Sequence, residues 1–382
     1  METMKKTLGL YLHIPFCKKK CNYCDFCSFP DQSQEVVDAY VARLCRDLTD
    51  ASASAKAYTV DSIYIGGGTP TILTQAQFET IWRALHDSFS FAEDCEFTVE
   101  CNPATGSFEL FKTLREIGVN RISMGLQSIH QNELSALGRI HGFAEFQKTL
   151  DELQKAGFSN IGADLMFGIP HQSVDSYLKT LRTVAALPLT HLSCYNLILE
   201  EGTPFWKAQN DLPLPGEDEE RKMYLSGVEL LEQHGFLQYE ISNFAKAGYR
   251  SRHNLKYWNL DPFLGFGLAA YSDFGGVRSG NSRDLAAYLR GEDITAEREA
   301  LSKQDRANEY VMLKMRTTDG LSVKLMEEEY GDAFAENVAA KLDGSIARGL
   351  VRATKEGYAF TKEGFFVSNS ILSDLLDFGA TS

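Results

Sequence analysis

Short apolar segments alternate with amphipathic helical segments as far as His234, and this alternation constrains the fold more than any other feature of the chain. The predicted strands are Leu8–Ile14, Ser62–Ile65, Glu96–Glu100, Arg121–Met124, Asn160–Leu165 and His191–Tyr195. The predicted helices are Ser33–Ala53, Thr74–Phe89, Ser107–Ile117, a segment that ends at Ala156, Ser173–Ala186 and Asp218–His234. Strands that alternate with helices form a parallel sheet covered by helices. The sequence therefore predicts an α/β fold, an incomplete, TIM-like (β/α)6 barrel open along one side.

The periodicity changes after Tyr239 and again near Ala296. We therefore expect a core barrel over residues 1–240, a connecting segment rich in aromatic residues and glycine over 241–289, and a C-terminal accessory domain over 290–382. The accessory domain is predicted to be smaller and mainly helical. A hairpin at residues 350–360 follows its first helices, which is a winged-helix-like layout.

The charge and hydropathy of the chain exclude several classes of partner. The 382 residues carry a net charge of −14, which disfavours binding to nucleic-acid phosphates. No stretch approaches the ~18–20 apolar residues that span a bilayer, so any membrane contact is expected to be peripheral at most. The N-terminal segment has no signal-peptide cleavage site. We expect a cytoplasmic protein whose eight cysteines are thiols or metal ligands rather than disulfides.

A cysteine motif follows the first predicted strand. Cys17, Cys21 and Cys24 have the spacing Cys-x3-Cys-x2-Cys, and Cys27 comes next. Three thiolates at this spacing can hold an iron–sulfur cluster and leave one iron of a four-iron cube open to another ligand. The alternative is a four-cysteine zinc knuckle that includes Cys27, although zinc sites usually pair two Cys-x2-4-Cys arms from separate hairpins.

Polar and glycine-rich residues follow most of the predicted strands, where working residues of a (β/α) barrel gather. Each of these residues also has an ordinary explanation: glycines form turns after strands, and carboxylates form salt bridges at a rim. Their convergence on one rim favours a binding site. The residues are Cys17, Cys21, Cys24, the segment Gly66–Thr69, Glu100, Gln127 and Asp164.

The cysteine motif and the Gly-Gly-Gly-Thr-Pro segment resemble those of the radical S-adenosylmethionine (SAM) family. The resemblance implies a 4Fe-4S cluster on Cys17, Cys21 and Cys24, with the amino and carboxylate groups of SAM on the open iron. It also implies that an electron from the cluster cleaves SAM to a 5′-deoxyadenosyl radical. A donor such as flavodoxin or ferredoxin would supply that electron.

Further motifs are similar to those of the oxygen-independent coproporphyrinogen III oxidase-like proteins, over roughly residues 8–272. The motifs include Tyr-Leu-His-Ile-Pro-Phe-Cys, Glu-Cys-Asn-Pro, Ser-Met-Gly-Leu-Gln-Ser, Leu-Gly-Arg and Asp-Leu-Met-Phe-Gly-Ile-Pro. By this match, the SAM-contacting positions are Tyr11, Tyr23, Gly67, Gly68, Thr69, Glu100, Gln127, Arg139 and Asp164.

Two features resemble the heme chaperone branch of this family rather than its oxidases. The oxidases carry an N-terminal extension and a fourth cysteine, whereas Cys17 is preceded by 16 residues here and Phe26 occupies the cysteine position. The segment His253-Asn254-x-x-Tyr257-Trp258 is associated with heme in that branch. The resemblance implies that His253 binds heme; the alternative is a hydrogen-bonded histidine within an aromatic cluster.

The main functional hypothesis is therefore a heme chaperone that delivers heme to an acceptor hemoprotein. The alternative is an enzyme of porphyrin biosynthesis, an oxygen-independent coproporphyrinogen III oxidase that makes protoporphyrinogen IX. Heme-degrading or methyl-transferring radical chemistry is a third hypothesis. The sequence assigns no catalytic residue.

Overall fold

The computed structural model describes residues 6–376. Its strands are β1 (Lys6–Ile14), β2 (Phe16–Cys17), β3 (Phe29–Pro30), β4 (Tyr58–Gly67), β5 (Phe91–Cys101), β6 (Arg121–Gln127), β7 (Ile161–Phe167), β8 (His191–Asn196), β9 (Leu237–Gln238), β10 (Asn243–Ala245), β11 (Phe263–Phe266), β12 (Tyr271–Phe274), β13 (Val277–Asn281), β14 (Thr295–Ala300), β15 (Leu321–Ser322), β16 (Val351–Ala353) and β17 (Gly357–Phe360).

The helices alternate with these strands in the first half of the chain and dominate its C-terminal end. They are α1 (Gln34–Ala51), α2 (Gln75–Ser88), α3 (Phe108–Glu116), α4 (Gln131–Ala136), α5 (Phe143–Lys155), α6 (Val174–Ala185), α7 (Pro204–Lys207), α8 (Glu217–Gln233), α9 (Arg252–Asn259), α10 (Leu285–Arg290), α11 (Lys303–Met315), α12 (Val323–Tyr330), α13 (Asp332–Ala347), α14 (Lys362–Phe366) and α15 (Ser368–Leu375). Within residues 6–376, no helix has both the length and the apolar character needed to cross a membrane.

The main sheet has the strand order β14-β13-β12-β11-β1-β4-β5-β6-β7-β8-β10-β9. Its central members β1, β4, β5, β6, β7 and β8 are the six predicted strands, and each pairs in parallel with the next. This order confirms the predicted α/β barrel, and the two ends of the sheet leave it open. Because the six strands run in one direction, their carboxyl ends form one rim.

Local sequence explains why the strands and helices form where predicted. In β1, Leu8, Leu10 and Leu12 alternate with Gly9 and Tyr11, and all three leucines are fully buried. At the start of α2, the Thr74 hydroxyl accepts from the Gln77 backbone N–H, and Gln77 Oε1 accepts from the Thr74 N–H at 2.7 Å. This capping box satisfies backbone donors that a helix start otherwise leaves free, and it confirms Thr74 as the N-cap.

The prediction of one continuous helical segment ending at Ala156 is wrong. The structure divides this segment into two helices, α4 and α5. Gly138 adopts a φ of 74° between them, and Gly142 is the N-cap of α5. Glycine has no Cβ and adopts this left-handed conformation at little cost. The break leaves Arg139 in a loop at the rim of the barrel rather than on a helix face.

The region after Tyr239, expected to be irregular, contributes further strands to the main sheet. β11 pairs in parallel with β1 on the side opposite β4, and β12, β13 and β14 continue as an antiparallel meander. A Cβ on Gly265 would lie 2.0 Å from the Tyr271 backbone oxygen, so only glycine allows β11 and β12 to approach so closely. These strands are short and lack apolar alternation, which is why their sequence does not reveal them.

The C-terminal part of the chain is mainly helical, as expected. Helices α11 to α15 surround a small sheet of order β15-β17-β16. Leu342, Phe360 and Ile371 join the same apolar core as the barrel residues. β14, which begins at Thr295, belongs to the main sheet. The domain limits at residues 240 and 290 stay a prediction, and the sheet continues across both of them.

Candidate functional site

A polar cavity of about 130 Å³ opens at the rim formed by the carboxyl ends of the parallel strands. It brings together residues that are more than 140 positions apart in the sequence. The predicted site residues in its wall are Cys17, Cys21, Tyr23, Cys24, Gly67, Gly68, Thr69, Glu100, Gln127, Arg139 and Asp164. We call it the cofactor cavity. Tyr11 and His253 are not among its lining residues.

The three glycines at the end of β4, Gly66 to Gly68, allow the chain to pass through a crowded part of the site. Gly67 has a φ of 112°, and a Cβ there would lie 2.4 Å from the His13 ring. A Cβ on Gly68 would lie 2.6 Å from the Phe16 carbonyl oxygen. No other residue type fits these two positions without displacing its neighbours. The glycine segment therefore presents its backbone directly to the cavity.

Glu100, at the end of β5, is held by two donors. The Tyr64 hydroxyl donates to Glu100 Oε1 at 2.8 Å, and the Gly67 N–H donates to Oε2 at 2.9 Å. Withdrawal from bulk solvent raises the pKa of Glu100 to about 7. The two hydrogen-bond donors lower the pKa, but their effect is smaller. Burial also raises the pKa of Asp164, which accepts a hydrogen bond from Ser123 at 3.2 Å. The cavity thus holds two carboxyls for which a cationic ligand would favour ionisation.

Asn102 is a site residue that the sequence interpretation did not single out. Its Nδ2 donates to Thr69 Oγ1 at 2.7 Å, and its Oδ1 accepts from Arg139 Nη1 at 3.1 Å. Arg139 also donates to the Gly125 carbonyl oxygen. Asn102 therefore joins the glycine segment to the cavity arginine. Its signal in the sequence was its position directly after a strand, beside Glu100.

The cavity contains an unsatisfied polar atom. Gln127 ends β6 with a φ of 67°, and its Oε1 is buried without a hydrogen-bond partner. A buried, unpaired carbonyl oxygen and a left-handed backbone at a non-glycine residue are both costly, and such features concentrate at ligand sites. A bound ligand with a donor group would satisfy this atom.

The three motif cysteines lie together in the wall of the cofactor cavity. Cys17, Cys21 and Cys24 are free thiols in the wall of one cavity, and Cys17 Sγ accepts from Thr69 Oγ1 at 3.6 Å. Within residues 6–376, no group of three His, Cys, Asp or Glu side chains is arranged to hold one ion. Sulfurs that ligate different irons of a cube stand farther apart than sulfurs that share one ion. Burial raises the pKa of the Cys24 thiol to about 11, and a bound metal would favour its thiolate.

Cys27 does not line the cavity and is buried in the core. Its backbone oxygen lies 2.8 Å from His13 Nε2. The zinc knuckle that would include Cys27 therefore receives no support from this arrangement.

His253 lies in a closed aromatic cluster next to the site. It is 1% exposed, its Nδ1 is 3.0 Å from Ser62 Oγ, and its Nε2 is 2.8 Å from the Tyr257 hydroxyl. Its ring stacks on Tyr64. The Tyr11 ring completes a triangle with these two, 6.2 Å from Tyr64 and 6.5 Å from His253 between ring centroids. Burial and nearby cations lower the pKa of His253 to about 3. In this conformation both imidazole nitrogens already have partners.

Glu96 fixes the helix that carries His253. Its carboxylate accepts from the backbone N–H groups of Arg252 at 3.0 Å and His253 at 3.1 Å. A carboxylate at a helix N-terminus satisfies free donors and opposes the helix dipole. β5 therefore supplies both Glu100 to the cavity and Glu96 to the first turn of α9.

Comparisons with known proteins identify the family of the chain. The sequence matches the family described as the radical SAM superfamily over residues 11–184, and the HemN C-terminal domain over residues 301–367. The protein named heme chaperone HemW from Bacillus subtilis (strain 168) is 34% identical over 376 residues, which cover 96% of this chain and 98% of the relative. The protein of the same name from Escherichia coli (strain K12) is 33% identical over 370 residues, covering 96% and 97%.

One solved structure has the same fold along nearly the whole chain. The coproporphyrinogen III oxidase HemN from Escherichia coli, described as a radical SAM enzyme, superposes with a TM-score of 0.85 and 24% identity. The match covers 98% of this chain and 91% of HemN, and at this identity it establishes the fold alone. The family rests instead on the curated relatives, which align from end to end. This chain belongs to the radical SAM superfamily, in the heme chaperone HemW branch of the oxygen-independent coproporphyrinogen III oxidase-like family.

Proposed function

We propose that this chain binds heme and passes it to an acceptor hemoprotein, with a 4Fe-4S cluster on Cys17, Cys21 and Cys24 and SAM beside it. The observation that carries the proposal is the similarity to proteins named heme chaperone HemW along 96% of the chain. Membership in the radical SAM superfamily implies the cluster and SAM. The cofactor cavity has the thiols, backbone groups and carboxyls that these groups require.

The residues of the cavity have distinct tasks in this proposal. Cys17, Cys21 and Cys24 would hold a 4Fe-4S cluster, which would supply an electron to the sulfonium of SAM. The backbone of Gly67 and Gly68 receives the amino group of the methionine moiety, and Glu100 accepts from SAM hydroxyl or amino donors. Asn102 keeps Thr69 and Arg139 in position through its two hydrogen bonds. Tyr23, Gln127 and Asp164 complete the wall.

An acidic electron donor, such as a flavodoxin or ferredoxin, fits the surface beside the cysteines. Lys18, Lys19 and Lys20 lie between two of the predicted cluster ligands, and all three are exposed. The chain as a whole carries a net charge of −14, so this basic triplet is a local exception. Opposite charge at the docking face speeds association and orients the two proteins.

His253 is proposed as a heme-binding residue on the basis of its motif, and the structure sets a condition for iron ligation. The imidazole has to give up its contact with either Ser62 or Tyr257, because each occupies one ring nitrogen. The Glu96 cap keeps this histidine in the closed cluster. Heme ligation by His253 therefore requires the side chain of Ser62 or Tyr257, or α9 itself, to move.

The test is anaerobic mass spectrometry of the reconstituted, reduced protein with SAM and coproporphyrinogen III, combined with a heme-transfer assay. The expected result is slow formation of 5′-deoxyadenosine, unchanged coproporphyrinogen III, and transfer of heme to an apo-hemoprotein. Successive losses of carbon dioxide and hydrogen, in step with 5′-deoxyadenosine, would identify an oxidase instead. A methylated or ring-opened heme would support the third hypothesis.

The site residues are tested separately. Replacement of His253 by alanine should weaken heme binding and leave the iron and sulfide content unchanged. Unchanged heme affinity in this variant would show that the histidine serves only to pack the aromatic cluster.

A further inference from the structure

A second cavity, of about 310 Å³, lies between the last parallel strand and the C-terminal helices. It shares no lining residue with the cofactor cavity. Its apolar wall comes from β7, β8, α8 and α14, and its residues include Phe167, Tyr195, Ile198, Tyr224, Phe365 and Phe366. We call it the aromatic cavity. Its volume is within the range of small-molecule sites, roughly 300–1,000 Å³.

The end of the β8–β10 pairing creates the room for this cavity. β10 pairs with β8 only as far as Ser193, and the last contact is the Cys194 N–H donating to the Ser242 oxygen at 2.8 Å. β8 continues to Asn196 with β7 on its other side. The free edge of β8 at Tyr195 and Asn196 therefore faces the cavity instead of another strand.

The side chains at the cavity suit a flat apolar ligand. The rings of Phe167 and Tyr224 are 6.3 Å apart, and those of Tyr224 and Phe366 are 5.9 Å apart, so three rings follow one another along the wall. Ile198 is 66% exposed and Tyr195 is 41% exposed. Both residues line the cavity, and exposed apolar residues beside a cavity are candidates for contact with a ligand.

Arg316 adds a positive charge behind this wall. Its Nη2 donates to Asn369 Oδ1 at 2.9 Å, and its carbonyl oxygen accepts from the Ile241 N–H at 2.9 Å. Asn369 and Ile241 both line the cavity. The Arg316 Nε is buried without a hydrogen-bond partner, and no ion pair joins Arg316 to a carboxylate within the described part of the chain.

A half-buried guanidinium without an acidic partner is unusual in a chain with 52 Asp and Glu residues. Arg316 follows α11 directly, where the helix dipole favours a cation, but this accounts for only part of the cost of burial. A ligand carboxylate would supply the missing partner, because arginine presents a fork of donors that matches a carboxylate.

We propose that the aromatic cavity binds the ring face of a tetrapyrrole and that Arg316 pairs with one of its carboxylates. The inference deepens the proposed function, on which it rests, by assigning heme a second site in addition to the one proposed at His253. The exposed side of the ring would remain at the protein surface, between Ile198 and the C-terminal helices. Such a position allows heme to leave for an acceptor without opening the barrel.

The experiment is an anaerobic titration of the full-length, cluster-reconstituted protein with ferric heme and, separately, with heme dimethyl ester. Ile198→Glu should weaken the binding of both ligands by about tenfold or more, because it places a charge at an apolar ring face. Arg316→Gln should weaken heme binding by about tenfold and leave the binding of the ester nearly unchanged.

Two matched variants act as controls. Leu237→Glu puts the same charge on a leucine that is 55% exposed outside the cavity. Arg352→Gln removes another arginine of the C-terminal region, which donates to the Thr318 oxygen at 3.0 Å. Both should bind heme as the wild type does. Because Ile198 and Leu237 are exposed, neither glutamate is expected to impair folding, which circular dichroism would check.

The outcomes separate this inference from the proposed function. If the wild type binds no heme, the proposed function fails. Suppose instead that the wild type binds heme. If both variants, Ile198→Glu and Arg316→Gln, then bind heme as tightly as the wild type does, heme lies elsewhere and the inference is wrong. If Arg316→Gln weakens heme and its ester alike, the carboxylate pairing is wrong.

Discussion

The ring of Tyr64 stacks on the imidazole of His253, with 5.4 Å between the ring centroids and 29° between their planes. The hydroxyl of the same tyrosine donates to Glu100 in the cofactor cavity. One side chain therefore contacts both the carboxyl proposed to bind SAM and the histidine proposed to bind heme. This contact gives a physical route by which occupancy of one site can affect the other.

Replacement of Tyr64 by phenylalanine tests this contact. The ring and its stacking remain, but Glu100 loses one of its two donors, so its pKa rises further and its carboxylate becomes a weaker acceptor. We expect SAM binding to weaken by roughly tenfold or more near neutral pH, as for loss of a hydrogen bond to a charged group. Isothermal titration calorimetry with SAM measures the change. Tyr58→Phe, on the same strand but packed on Phe274, is the control.

The cysteine assignment predicts different results for two neighbouring thiols. Cys21→Ser should abolish the cluster, because one of three ligands is lost. Cys27→Ser should retain it, because Cys27 lies in the core outside the cavity. Iron and acid-labile sulfide analysis after anaerobic reconstitution measures both. Full iron and sulfide in Cys21→Ser would refute the assignment, and their loss in Cys27→Ser would indicate a fourth ligand.

Two glycine substitutions separate backbone strain from steric clash. Gly118 has a φ of 98° and no atom within 4 Å of the position that a Cβ would occupy, whereas Gly67 has a φ of 112° and the His13 ring within 2.4 Å. Gly118→Ala should lower the free energy of unfolding by about 1–2 kcal/mol, the cost of a left-handed alanine. Gly67→Ala should cost about 1–3 kcal/mol more, because the His13 ring must also move. Urea denaturation gives both values, and equal losses would contradict the crowding at Gly67.

The burial of Glu240 leads us to expect that the stability of the folded protein depends on pH. It is 1% exposed, and burial raises its pKa from 4.5 to about 7, against hydrogen bonds from Ser242 and Asn243. Between these values the folded protein holds a proton that the unfolded chain has released. The contribution of Glu240 to the free energy of unfolding is therefore complete below pH 4.5. It falls by up to about 3 kcal/mol as the pH rises through 7.

Glu240→Gln removes this titration. The difference in melting temperature, wild type minus variant, should decrease from pH 5.5 to pH 8.5 by roughly 2–4 °C, because about 2 kcal/mol of the contribution is lost over this interval and the unfolding entropy of a chain of this length is large. A constant difference across this range would show that Glu240 does not hold a proton in the folded state. Differential scanning fluorimetry in matched buffers gives the comparison.

Much of the barrel could be predicted because its signals are local. The apolar runs of β1, β4 and β8 and the capping box at Thr74 depend on residues within a few positions of one another. The rim residues could also be predicted as a group, since parallel strands place their carboxyl ends together. Glu100, Arg139 and Asp164 do line one cavity with the three motif cysteines.

Long-range contacts determined what the sequence could not reveal. β11 (Phe263–Phe266) has no strand pattern in its sequence. It forms a strand because it pairs with the edge of β1, which lies more than 250 residues earlier in the chain. Asn102 becomes a site residue through Thr69 and Arg139, each more than 30 positions away. Neither contact has a periodicity that could be read in advance.

The sequence alone determined the cysteine spacing, the strand–helix alternation and the glycine segment, because each depends on residue type and short-range geometry. Only the tertiary structure decided that His253 points into a closed cluster, with Ser62 and Tyr257 on its two nitrogens. Only it placed Arg316 against Asn369, in the wall of the aromatic cavity, with no acidic partner among residues 6–376. The free energy of a polar side chain depends on how deeply it is buried and on whether it has a hydrogen-bond or ion-pair partner. Both are decided only when distant segments of the chain pack together.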